Sequence, residues 1–119
     1  MQSTGMKPIV IRDIFTLADR LDSLEWEPFR PGVRIHRLYG NASTGPSAAF
    51  LLYDVEAGVP LHEHQGFEHL IVLTHFQTDE RGHSISGDLV INPPGSTHSV
   101  KCPKGCLVLA IWEKPVAFL

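Results

Sequence analysis

From Val33 onward, apolar and polar residues alternate in short runs that glycine and proline interrupt. The run 33–39 mixes β-branched and polar positions at a period close to two, and a turn follows at Gly40 and Asn41. Residues 48–54, 68–74, 87–91, 99–102 and 106–112 predict further strands, with turn clusters at 57–58, 78–82, 92–95 and 103–105. The N-terminal part reads differently. Residues 1–7 form a loose tail and residues 9–11 predict a short edge strand. Asp13 is placed to cap a short helix, whose apolar positions Ile14, Phe15, Leu17, Ala18 and Leu21 suit a period of about 3.6 residues. Pro28, Pro31 and Gly32 end that stretch as a loop. Many short strands at regular spacing predict facing sheets, not alternating strand–helix units. The expected fold is all-β, a jelly-roll barrel with a short N-terminal strand and helix. Residues 1–25 are read as the extension and 26–119 as the barrel, one domain overall.

Composition narrows the possible functions. A chain of 119 residues, 43% hydrophobic and 19% charged, can bury one core and is not disordered in character. The net charge is −3 and no basic block appears, so nucleic acid is not an expected partner. Apolar stretches such as 107–112 fall far short of a membrane span. The first seven residues lack a charged-then-apolar signal pattern, so a cytoplasmic location is the default expectation. Cys102 and Cys106 flank a Pro-Lys-Gly turn. Without a secretory signal they predict no disulfide framework, but one buried and one surface thiol.

The chemistry concentrates in two segments. In a strand, side chains at i and i+2 share a face, so His62 and His64 can enter one cavity together. Gly66 lets the chain bend, and Glu68 then heads an apolar row with Leu70, Val72 and Thr74. A carboxylate there is costly to bury alone but not beside a cation. Two imidazoles and a carboxylate suit Zn, Fe, Mn, Ni or Co. An exposed strand with a surface Glu68 reads the same three residues equally simply. The second segment, Gly87 to His98, is a strand, a rigid turn at Pro93, Pro94 and Gly95, and a histidine held soon after it.

Together these segments resemble the two cupin motifs: glycine, His-x-His and a following glutamate, then glycine, Pro-x-Gly and His. The resemblance implies a cupin double-stranded β-helix with His62, His64, Glu68 and His98 as ligands of one divalent metal ion. The longer run from His62 to Cys106, with Asp79, Glu80, Arg81 and Gly82 between the motifs, resembles the ChrR-type cupin branch. Trp26, Pro28, Pro31, Gly32 and Val33 fit its opening segment. That branch includes domains of anti-sigma factors, stand-alone cupins, and dioxygenases for small diketone or ketone substrates. The chain departs from the branch at His75, where the first motif usually ends in glycine, and at His69. Strand alternation turns both away from the metal. The separate zinc-binding helical domain by which ChrR-like proteins hold a sigma factor is not recognised in these residues, so direct sigma-factor sequestration is not expected.

The expected function is a small metal-binding cupin of unassigned activity, with two readings open. One is a metal-dependent dioxygenase, or a related hydrolase or isomerase, acting on a small organic molecule. The other is a regulatory or sensor cupin with zinc in a closed site. A metal-free epimerase-like cupin needs a His–Asp pair, which the sequence does not reveal. No further acid or base stands out. His36 and His83 are expected at the surface, Trp26 and Trp112 in the core or an interface, and Tyr53, Phe50 and Phe67 in the core or at the barrel mouth. A homodimer sharing sheet edges is expected, with a small-molecule ligand and no membrane partner.

Overall fold

The computed structural model describes residues 5–41 and 43–119. Two antiparallel sheets face each other. One has the order β1 (Glu27–Arg30), β2 (Val33–Asn41), β3 (Thr44–Tyr53), β10 (Cys106–Trp112), β5 (Glu68–Val72), β8 (Leu89–Asn92). The other runs β11 (Val116–Phe118), β4 (Ala57–His64), β9 (Thr97–Cys102), β6 (Phe76–Asp79), β7 (Gly82–Ile85). This is the expected jelly-roll barrel. The period of two in the sequence explains it: Glu68, Leu70 and Val72 point inward and are buried, while His69 and Ile71 lie on the outer face.

The barrel is lined by Val33, Ile35, Ala49, Leu51, Tyr53, Val59, Leu70, Val100, Val108 and Ala110. A second apolar cluster, Leu17, Phe50, Leu73 and Leu107, lies on the outer side of the larger sheet, against the N-terminal helical segment Ile14–Ser23. Leu17 is 1% exposed, and burying a leucine side chain contributes about 2 kcal/mol. That segment is therefore fastened to the barrel by the apolar stripe read from the sequence.

Several local expectations change. Residues 9–11 form no strand. The helical segment is a 3-10 helix broken at Arg20, not an α-helix. Asp13 makes no side-chain cap; it sits at φ 53°, and Arg20 instead donates to the carbonyls of Arg12 and Asp13. Pro28, Pro31 and Gly32 belong to a hairpin: β1 pairs with β2 around a tight turn in which Gly32 has φ +74°. β4 begins within the turn expected at 57–58.

His36 is half-buried between Trp26 and Phe50, with Nδ1 2.8 Å from the Glu25 carbonyl. Its neighbours come from residues 25–26 and from β3, which local polarity around His36 could not announce. Phe67 is exposed, whereas Phe50 and Tyr53 are core residues. Cys102 and Cys106 are joined in a disulfide across the β9–β10 turn, both buried, with Cα atoms 5.9 Å apart. The spacing alone did not reveal that the hairpin turns both side chains the same way.

Candidate metal centre

A change of phase in β4 builds the site. Val59 points inward, yet so do His62 and His64, three and five residues later. The pairing of β4 with β9 shifts register between Val59 and His62, and this bulge re-aims the strand so that both histidines enter the barrel. His62 then stands opposite His98 of β9. The turn before β9 fixes His98 in place, and Gly95 occupies φ +87°, where a side chain is disfavoured. Gly66 lies in the bend between β4 and β5, as expected, packed beside the Glu113 side chain.

His62, His64 and His98 converge, each buried, with one ring nitrogen apiece within 4.8 Å of the others. The opposite nitrogens are tied back. Nδ1 of His62 is 2.8 Å from the Pro60 carbonyl, and Nδ1 of His64 is 3.1 Å from the Ser96 carbonyl and 2.9 Å from its hydroxyl. Nδ1 of His98 is 3.0 Å from Asp79 Oδ2. A carbonyl and a carboxylate can only accept, so each Nδ1 carries the proton and each Nε2 keeps a lone pair for the shared centre. Burial pushes the imidazole of His62 below its ordinary pKa, opposed by its bond to Pro60, and keeps the ring neutral as a metal ligand must be.

Glu68 faces this trio. Its Oε1 lies 2.9 Å from His64 Nε2 and 3.9 Å from His98 Nε2. Asn92 Nδ2 donates to Oε1 at 2.9 Å, and Trp112 Nε1 donates to Oε2 at 2.6 Å. Burial pushes the carboxyl upward, but the His64 imidazole, the indole N–H and His98 outweigh it, so Glu68 stays below the usual range and ionised. Although close to Glu68, His64 Nε2 has no partner in hydrogen-bond geometry, and it is the one such buried side-chain atom among the described residues. An orphaned buried lone pair beside a carboxylate and two more imidazoles fits a cation.

The structure therefore brings together all four residues singled out in the sequence. It adds Asp79, Asn92, Ser96 and Trp112, which sequence reasoning missed as partners. Asp79 supplies the His–Asp pair that could not be identified. Burial raises its carboxyl, but His98 and the Arg81 backbone N–H prevail and hold it below the ordinary range. His69 lies on the outer face of β5 as alternation required, whereas His75 is exposed in the bend after β5, where alternation no longer applies. A cavity of about 40 Å³ adjoins the centre, lined by His62, Glu68 and His98 and by apolar walls that include Phe29, Val59, Leu70 and Phe118.

A two-sheet barrel with three histidines and a glutamate at its inner face defines a cupin. The chain belongs to the ChrR cupin-like domain family, whose pattern covers residues 17–117. Among solved structures it is similar to the anti-sigma protein ChrR of Rhodobacter sphaeroides, solved in complex with SigE. Identity is 28% and the TM-score 0.69, over 82% of this chain and 55% of that one, so the chain spans about half of that relative's length. It also shares its fold with an acetylacetone dioxygenase from Acinetobacter johnsonii, with 14% identity, TM-score 0.76, and 100% and 81% coverage. An RmlC-like cupin from Shewanella frigidimarina gives 21% identity, TM-score 0.65, and 79% and 86% coverage. No curated protein matches in sequence. Among the described residues no helix is long and apolar enough to cross a membrane.

Proposed function

We propose that His62, His64, His98 and Glu68 hold one divalent metal ion, and that the protein is a metal-dependent dioxygenase of a small diketone or ketone-like molecule. The observation that carries this reading is the set of three Nδ1 tethers, which leaves three buried lone pairs and an ionised carboxylate around one point. Bound there, the cation supplies Lewis-acid polarisation of a carbonyl and, if iron, the redox capacity for oxygen chemistry. The protein's own part is to hold the imidazoles in one tautomer, keep Glu68 ionised, and exclude water with the apolar walls of the adjoining cavity.

The test is elemental analysis of protein purified without chelator, followed by oxygen uptake with iron restored and a panel of diketones. Iron at one equivalent with substrate-dependent oxygen consumption supports the reading. A protein that takes up no metal, or that holds iron and consumes no oxygen with any ketone, sinks it.

A second reading is favoured by the 28% identity to ChrR: a regulatory cupin holding zinc without turnover. Tightly held zinc, with no activity after exchange for iron, Mn, Ni or Co, selects it. Under either reading we infer a homodimer. Among the described residues β8 pairs only with β5, and its outer face presents Leu89 and Ile91 at 58% and 51% exposure. A cytoplasmic setting accords with both readings.

A further inference from the structure

Three arginines of this chain are half-buried: Arg20, Arg30 and Arg37. Arg20 satisfies its guanidinium on backbone carbonyls and on Thr16. Arg30 lies over the Phe118 ring, with its guanidinium carbon 4.2 Å from the centroid. Among the described residues Arg37 has no such partner. Among the described residues neither Arg30 nor Arg37 forms an ion pair, whereas the more exposed Arg34 and Arg81 do. Two guanidinium charges that line one cavity with no carboxylate in its wall set up a positive field there, which favours an anion.

Their location is defined by the fold. Val33 and Ile35 of β2 point into the barrel core, and Arg37 continues that inward row at the barrel mouth. With Arg30 it lines a cavity of about 230 Å³ whose other walls include Phe29, buried Ser47 and Phe118, and which no carboxylate lines. Phe29, Trp112, Val116 and Phe118 also line the smaller cavity at the histidine centre. One end of this space is thus cationic, the middle apolar, and the far wall leads to the site where a metal is proposed. Its volume is below the roughly 300–1,000 Å³ typical of ligand pockets, so its occupant is small.

We propose that Arg30 and Arg37 anchor the carboxylate of a small organic acid whose apolar body lies along Phe29 and Phe118, pointing its keto end toward the histidine centre. Stacked on Phe118, the guanidinium of Arg30 keeps its N–H edge available, and a fork of N–H donors matches a carboxylate. The anchor itself rests on the arginines alone; the direction of the keto end rests on the metal reading above. Within the ketone-like substrates proposed above, the class becomes a small oxo acid whose ketone lies at the opposite end of an apolar body from its carboxylate.

The test is calorimetric titration of the full chain with 4-acetylbenzoate, its methyl ester, and the neutral 4-methylacetophenone. Charge-assisted hydrogen bonds predict that the acid binds at least about tenfold more tightly than the ester. Raising the salt concentration weakens the acid alone. Arg37→Gln abolishes the preference, and Arg37→Lys, which keeps the charge but not the fork, restores part of it. Circular dichroism and metal content on the same samples establish that each variant is folded and loaded alike. Equal binding of acid and ester, absence of any acid binding, or an unchanged preference in Arg37→Gln overturns the proposal. A protein that takes up no metal yet prefers the acid leaves this anchor standing and removes the proposed metal function. Full metal content with acid and ester bound alike removes the anchor alone.

Discussion

Asp79 Oδ2 stands 3.0 Å from Nδ1 of His98, so a carboxylate from β6 orients an imidazole of β9 toward the histidine centre. A carboxylate behind a metal-binding histidine fixes its tautomer and increases its basicity. Losing such a partner costs about 10–100-fold in metal affinity. Asp79→Ala is expected to weaken metal binding by that factor in a competition titration with a chromophoric chelator. Asp79→Asn keeps an acceptor oxygen and should fall between the two. An alanine variant with unaltered affinity means that the pair is only structural.

Trp112 Nε1 donates to Glu68 Oε2 at 2.6 Å, and Glu68 is 4% exposed. Trp112→Phe preserves the apolar wall and deletes the donor. A hydrogen bond to a buried charge contributes about 1.5–3 kcal/mol, so metal-free Trp112→Phe should lose about that much in urea denaturation. Adding metal should reduce the deficit, because a cation compensates the carboxylate from its other side. An equal deficit with and without metal argues that Glu68 does not face the ion.

How much of this was legible beforehand follows from the range of each signal. The strand period is local, so the barrel could be read from it, whereas His62, His64, Glu68 and His98 came together only through the resemblance of two segments to the cupin motifs. Asp79, Asn92 and Trp112 were not readable as site partners, because pairing across sheets brings them in from β6, β8 and β10. Nothing near Trp112 in sequence marks it as a donor to a carboxylate 44 residues away. The β4 bulge was also hidden: alternation from Val59 alone would have turned His62 outward. The edge strand expected at 9–11 failed because apolar content does not supply a sheet neighbour.

His75 stands where the resemblance led us to expect glycine, and its backbone has φ 54°. The left-handed conformation costs a residue with a Cβ about 1–2 kcal/mol, partly offset in glycine by greater freedom when unfolded. His75 is exposed, and its carbonyl still accepts from Ser86 N–H whatever its side chain. His75→Gly should therefore stabilise the fold by about 0.5–1 kcal/mol, measured as a higher urea midpoint at unchanged m-value. A lower midpoint would show that the imidazole contributes contacts that outweigh the strain.

The outer face of β8 and its neighbours presents Leu89, Ile91 and Ile111. An open strand edge bearing such residues is prone to pair with another copy. Sedimentation velocity is expected to give a dimer for the native chain. The double variant Leu89→Lys, Ile91→Lys should sediment as a folded monomer with metal content retained. A native monomer, or a variant that remains dimeric, excludes this face.

Tyr53 is 6% exposed, and burial, with a smaller push from Glu68, raises its phenol above the ordinary 10.0. Above pH 10 an unfolded chain releases this proton while the folded chain retains it. The native state then binds more protons than the unfolded state, so stability falls as pH rises. The loss is at most about 1.4 kcal/mol per pH unit beyond the ordinary value. Urea denaturation at pH 8 and pH 11 should show that Tyr53→Phe loses less stability than the native chain by about that amount. Since Tyr39 is exposed and unchanged between the two proteins, it cancels in the comparison. Equal losses in both would mean that the Tyr53 phenol reaches solvent and ionises without unfolding the barrel.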